Sequence, residues 1–202
     1  NGSMSLAEID KALDDSGVKF DFVGFDACLM ATTENALMLS KYADYMIASE
    51  ETEPGIGWYY TNWLTKLGKN TSMPTVEIGK NIIDDFVDTC AKKCRGQKTT
   101  LSIIDLAEFS NTVPEKLNSF AQSISKKLTN QEFKEVSDAR YTTREFAVSS
   151  KIDQVDLAHL ALNMNNSEGT ALSNAIKDAV KYNRTSNDIN NAYGVSIYFP
   201  YR

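Results

Sequence analysis

The chain has 202 residues, 42% of them hydrophobic and 24% charged, with only four prolines; that is the composition of a globular protein long enough to bury one sheet between two helical layers. A net charge of -6 argues against nucleic acid or an anionic membrane as partner and favours a cationic one. No apolar run is long enough to span a bilayer, and no basic-apolar leader opens the chain.

In chain order, Ser5-Leu6-Ala7-Glu8 reads as a capping box opening a short helix, with Leu6, Ile9 and Leu13 on one face and Asp14–Gly17 ending it. Phe20–Phe25 is apolar at nearly every position and predicts a strand covered on both faces. Thr32 or Thr33 caps a helix running to about Lys41, and Tyr45–Ala48 is a second buried strand. Strand, helix and strand make a βαβ unit, with polar residues leaving both strand exits. A loop with Pro54, Gly55 and Gly57 carries Trp58, Tyr59, Tyr60 and Trp63, and helix resumes over Thr61–Leu67. Thr75 is read as the cap of a longer helix with Ile78, Ile82, Phe86 and Val87 as its stripe, broken by Gly96. Leu101–Leu106 is a strand, and Thr112 with Pro114 and Glu115 starts a helix to about Leu128. Asn130–Ser150 is read as helix then loop, Ile152–Met164 and Glu168–Lys181 as helices, and Gly194–Pro200 as a closing strand. Four strands alternating with about seven helices predict an α/β architecture with a mainly parallel sheet. No internal repeat or domain boundary interrupts it. The abrupt ends at Asn1-Gly2-Ser3 and Tyr201-Arg202 read as cuts.

Of three cysteines, Cys90 and Cys94 lie one helical turn apart without a third ligand and read as packing thiols. Cys28 follows a strand, where backbone N–H groups and a helix end would favour a thiolate. It is either a nucleophile or a buried strand-end thiol. A nucleophilic cysteine needs a base, normally histidine; the one histidine, His159, sits between Ala158 and Leu160 in a helical stripe and reads as structural. Asp26, two residues before Cys28, is too acidic to be the base. It serves either as counter-charge for a cationic group or as a loop-capping carboxylate. Glu50, Glu51 and Glu53 leave the next strand so close together that they need a cation among them, unless they form a solvated loop. The aromatics Trp58, Tyr59 and Trp63 wall a pocket or cover the sheet edge. Four N-x-S/T matches, at Asn1, Asn70, Asn165 and Asn183, carry no weight in a chain this rich in Asn and Ser.

Phe25-Asp26-Ala27-Cys28-Leu29-Met30, Ala48-Ser49-Glu50-Glu51 and Pro54-Gly55-Ile56-Gly57-Trp58-Tyr59-Tyr60, with Gly194–Pro200 at the end, resemble the clostripain family of cysteine peptidases, of the caspase-like clan. The resemblance implies a caspase-like three-layer α/β sandwich as one domain over 1–202. It also implies hydrolysis of peptide bonds after Arg or Lys. Cys28 would be the nucleophile, its N–H an oxyanion donor, and Asp26 the S1 carboxylate for the basic side chain. Glu51 or Glu53 would join that pocket or a calcium site, Ca²⁺ being the one cofactor implied, with no ligand set fixed. The family's His-Gly motif precedes the Cys, and none precedes Cys28. The chain therefore resembles the heavy chain left by self-cleavage, lacking the His-bearing light chain and a C-terminal extension. Its partners would be that light chain and peptides with Arg or Lys at P1, in a bacterial secreted, periplasmic or cell-surface setting. The competing reading is a non-catalytic caspase-like scaffold binding a basic peptide or partner protein. A dinucleotide site is disfavoured, since the turn after the first strand lacks the glycines a pyrophosphate needs.

Overall fold

The computed structural model describes residues 3–201. Asn1, Gly2 and Arg202, on which the expectation about cut ends partly falls, lie outside the described residues. Helix α1 (Leu6–Ser16) opens on the capping box and ends on Gly17 in the left-handed conformation, as its sequence dictates. The βαβ unit follows: β1 (Phe20–Gly24), α2 (Thr33–Leu39, capped by Thr32) and β2 (Ala43–Ala48), with β1 parallel to β2 and Phe22 opposite Tyr45.

Next come α3 (Tyr60–Lys69), α4 (Thr75–Lys93), β3 (Thr100–Asp105) and α5 (Leu106–Thr129). Then α6 (Phe133–Thr142), β4 (Glu145–Phe146), β5 (Gln154–Asp156), α7 (Leu157–Asn163), α8 (Ser167–Ala179), β6 (Val180–Thr185) and β7 (Ser196–Tyr198) complete the described chain. The main sheet has the order β1-β2-β3-β6, and β4-β5-β7 form a small second sheet.

The period of two in the central strands builds the three layers. Met46, Ala48 and Ile104 face one side, where α5, α7 and α8 bury Phe109, Val113, Leu157 and Ile176. Ile47, Leu101 and Ile103 face the other, under Ile82, Ile83 and Phe86 of α4 and Trp63 of α3. Each fully buried Ile or Phe stabilises by about 1.5–3 kcal/mol, so these two faces organise the fold.

The α/β class and the helix-flanked sheet stand, but the sheet is mixed. β1–β2 pairs parallel, and a parallel bridge joins Thr32 to Ser196; β2–β3 and β3–β6 are antiparallel, as are both pairings of the second sheet. The expectation of mainly parallel strands assumed that every strand returns through a crossover helix on the same side. β6 overturns this by turning back directly from α8; its residues VKYNRT are all half-buried, as befits an outer strand without an apolar run. β1 is likewise only partly covered, because it is the other outer strand, not an interior one. The helix expected over Ile152–Met164 starts at Leu157, capped by Asp156, its first residues being β5. Helix α5 begins at Leu106, with Asp105 as its cap and Pro114 inside it. The buried stripe Leu106, Phe109 and Val113 offsets a proline cost of about 3 kcal/mol. Thr75 is the first helical residue after Pro74 and not a cap.

Candidate active site

β1 delivers its exit residues onto a turn held from both sides. The ladder ends at Phe25 N–H donating to Ile47 O, after which Leu29 adopts a positive φ of 65°. Leu29 N–H then donates to Glu51 O at 3.2 Å and Ala31 N–H to Ser49 O at 2.9 Å. Ala31 O in turn accepts from Ser196 N–H at 2.8 Å. Cys28 projects from this turn, exposed, with Glu53 N–H donating to its Sγ at 3.2 Å. Its N–H donor is thus a loop amide and not a helix end, since α2 starts only at Thr33.

Asp26 lies beside Cys28. Trp58 N–H donates to its Oδ1 and Tyr60 O–H to its Oδ2, both at 3.0 Å. Gly57, at φ +61°, makes this approach possible: a Cβ there would stand 2.9 Å from Asp26 Oδ2. Asp26, Cys28, Glu53 and Pro54–Gly57 line one depression of about 450 Å³. Within it, Trp58 Nε1–H donates to Glu53 Oε1 at 3.4 Å, while Glu53 Oε2 is buried without a partner. Burial, then the neighbouring Asp26 carboxyl group, pushes the Glu53 carboxyl up to about 9 against the opposing pull of Trp58. Glu53 is therefore a neutral acid at pH 7 when the depression is empty.

The neighbouring carboxylates have other surroundings. Glu51 is buried and its Oε1 accepts from Thr52 N–H at 2.8 Å and Ala147 N–H at 3.0 Å. It lines a second depression of about 410 Å³, shared with Glu53, Lys98 and Ala147–Ser150, and not the one containing Cys28. Glu50 does not lie in a solvated loop, one of the two expected settings: it is 1% exposed and accepts from Gly194 N–H. Among the described residues no group of three or more His, Cys, Asp or Glu side chains could hold a metal, and Glu51 is already engaged by backbone donors.

His159 is placed away from Cys28. Its Nδ1 accepts from Arg144 N–H at 2.9 Å, and its ring meets Tyr193 edge-on. It lines a separate depression with Arg144 and Asn191. Burial, then the charges of Arg144 and Lys177, hold its pKa below the usual value, so it stays a neutral acceptor. Trp63 belongs to the core, as the edge-covering reading expects, whereas Trp58 serves both core and pocket. Cys90 and Cys94 are packing thiols, Cys90 pushed up to about 12 by burial and by Cys94. Sequence reasoning missed Tyr60 as an Asp26 donor; its place beside Trp58 in the aromatic run was the signal. It also missed Asp156, which no local pattern distinguishes from an ordinary helix cap.

A family model described as the clostripain family matches residues 1–200. No curated protein is significantly similar. Among solved structures, a clostripain from Bacteroides thetaiotaomicron ATCC 29148, in complex with the peptide inhibitor BTN-VLTK-AOMK, is 17% identical with a TM-score of 0.74, over 97% of this chain and 86% of that one. A secreted C11 cysteine protease from the same species, iotapain, is 16% identical with a TM-score of 0.74, over 97% of this chain and 54% of its own. An inactive zymogen C11 protease from Parabacteroides distasonis is 18% identical with a TM-score of 0.64, over 98% and 57%. This chain thus spans little more than half of the latter two. At these identities the likeness speaks for the fold. No helix among the described residues is long and apolar enough to cross a membrane.

Proposed function

The chain belongs to the clostripain family and is a cysteine peptidase, and we propose that it is an endopeptidase cutting after Lys or Arg. The observation that carries this reading is the sharing of one depression by Cys28, Asp26 and Glu53, Glu53 Oε2 being buried without a partner. A basic P1 side chain entering there meets the Asp26 carboxylate and supplies the partner that Glu53 Oε2 lacks. The acquired cation favours ionised Glu53, whose proton is released, and two carboxylates then hold one positive charge. That a Lys-bearing peptide inhibitor occupies the B. thetaiotaomicron clostripain agrees with a basic P1 group.

The Cys28 thiolate attacks the P1 carbonyl carbon, and the carbonyl electrons move to oxygen, facing the Cys28 N–H. Collapse expels the amine, protonated by an imidazolium, and leaves a thioester. Water, deprotonated by the same imidazole, then releases the acid and restores the thiol. The imidazole comes from a further segment of the precursor, a light chain separated by self-cleavage. Two observations support this: His159 is bound to Arg144 N–H in a different depression, and β1 is an outer strand only half covered. Secretion is proposed likewise, since relatives of this fold include secreted enzymes.

The full-length enzyme is expected to cleave peptides with Arg or Lys at P1, and Cys28→Ala to lower kcat by about a thousandfold or more. Undiminished cleavage by that variant would refute the assignment.

A further inference from the structure

The end of β2 holds a second carboxyl pair that the reaction does not use. Glu50 is 1% exposed and Asp156 0% exposed, and the two carboxyl groups face each other. Asp156 accepts at Oδ1 from His159 N–H and at Oδ2 from Tyr193 N–H. Glu50 Oε2 accepts from Gly194 N–H at 2.9 Å, which leaves Oε1 buried and without a donor. As a carboxylate oxygen, Oε1 would be an orphan costing a desolvation penalty. As an O–H directed at Asp156, it completes every bond in the cluster. Two adjacent carboxylates out of water cannot both be ionised. Burial, followed by the Asp156 charge, raises Glu50 well above its ordinary value. Asp156 rises to about 6, with its backbone donors and Lys177 opposing burial. The other groups facing the pair are Glu51, His159, which donates its N–H to Asp156, and Lys177 of α8, which lies 4.2 Å over the Tyr193 ring.

This pair closes a ring of bonds around the turn that carries Cys28. On one side the turn hangs from Ser49 O and Glu51 O, the carbonyls flanking Glu50. On the other, Ala31 O accepts from Ser196 N–H and Thr33 O–H donates to Ser196 O. The segment 193–196 is in turn held by Glu50 at Gly194 N–H and by Asp156 at Tyr193 N–H. Gly194, at φ +105°, has no room for a Cβ, which would meet Ser102 Cβ at 2.9 Å, so the segment is seated closely against β3. We propose that Glu50 is a positioning residue for the peptidase: it shares one proton with Asp156, and this closed pair locks residues 193–196 against the end of β2 and thereby orients the turn bearing Cys28. The inference rests on Cys28 being the nucleophile.

The test uses the full-length enzyme and two variants. In Glu50→Gln the amide oxygen accepts from Gly194 and the NH₂ donates to Asp156, so the variant imitates the protonated acid at every pH. Its kcat at pH 7 is expected within about threefold of wild type. In the wild type the folded state keeps a Glu50 proton that the unfolded chain has released. Stability is therefore present at low pH and lost as pH rises from 4.5 toward the raised value, at up to about tenfold in the folding constant per pH unit. Unfolding measured from pH 5 to 9 should show that slope reduced by one proton in Glu50→Gln. Glu50→Ala strips the partner from Gly194 N–H and Asp156; kcat should fall about tenfold or more with KM little changed, measured where circular dichroism shows it folded. An unchanged pH slope in Glu50→Gln, or wild-type kcat in folded Glu50→Ala, would overturn the proposal. The slope depends on no catalytic step, so a failure of the Cys28 assignment would show separately, as cleavage retained by Cys28→Ala.

Discussion

Glu50 and Glu53 leave the same strand three positions apart, and each faces a second carboxyl group: Asp156 for one, Asp26 for the other. Both have an oxygen that is buried and unpartnered. Burial raises both and leaves each a neutral acid in the resting protein. They differ in what surrounds them. Around Glu50 and Asp156 the backbone N–H groups of His159, Tyr193 and Gly194 occupy the remaining acceptor positions, and nothing opens to solvent. Asp26 and Glu53 open on a depression with a free thiol at its side. Burial puts a proton on both pairs; access decides whether a cation can replace it. One pair is a brace, the other a receptor.

The largest effect that sharpens this contrast is on the open pair. Asp26→Asn keeps an oxygen acceptor for Trp58 N–H and reverses the Tyr60 contact, its NH₂ donating to the Tyr60 oxygen, but removes the charge. It should lower kcat/KM for Lys or Arg at P1 by about a hundredfold or more, as removal of one partner of a covered charge pair does. The melting temperature should barely change; steady-state kinetics with circular dichroism checks both. The same loss for a norleucine P1 would break the contrast.

A smaller effect is expected at Glu53. The empty pocket holds its proton up to about pH 9, and a bound cation expels it. Affinity for a basic peptide should therefore weaken as pH falls below that value. At pH 7.5, binding to the Cys28→Ala enzyme should release about one proton, read by calorimetry in two buffers of different ionisation enthalpy. Glu53→Gln should abolish the release and weaken binding about tenfold. Binding without proton release in the parent enzyme would show Glu53 already ionised, hence unlike Glu50.

The open pair was far more legible in the sequence than the closed one. Asp26 and Cys28 lie together at one strand exit, and the apolar runs of β1, β2 and β3 announce the strands that place them. Glu51 and Glu53 could not be told apart there. Only the loop geometry sends Glu51 to Thr52 and Ala147 N–H and leaves Glu53 beside Asp26. The sequence pattern places Asp156 inside a helix because β5 is three residues long and its partners β4 and β7 are as short. Such strands carry no periodicity, so the contact of Asp156 with Glu50 exists only once the second sheet has docked on the first. β6 was hidden for a related reason: as an outer strand it shows no apolar run, and it follows α8 without a break.

The most direct measurement is covalent. Full-length enzyme is treated with peptidyl electrophiles that differ only in carrying Lys, Arg or norleucine at P1, and the inactivation rates and modified residue are determined by kinetics and mass spectrometry. The adduct should sit on Cys28, with the basic reagents faster than norleucine by about a hundredfold or more, and Asp26→Asn should erase the difference. Equal rates for all three reagents, or an adduct on any other residue, would contradict the account.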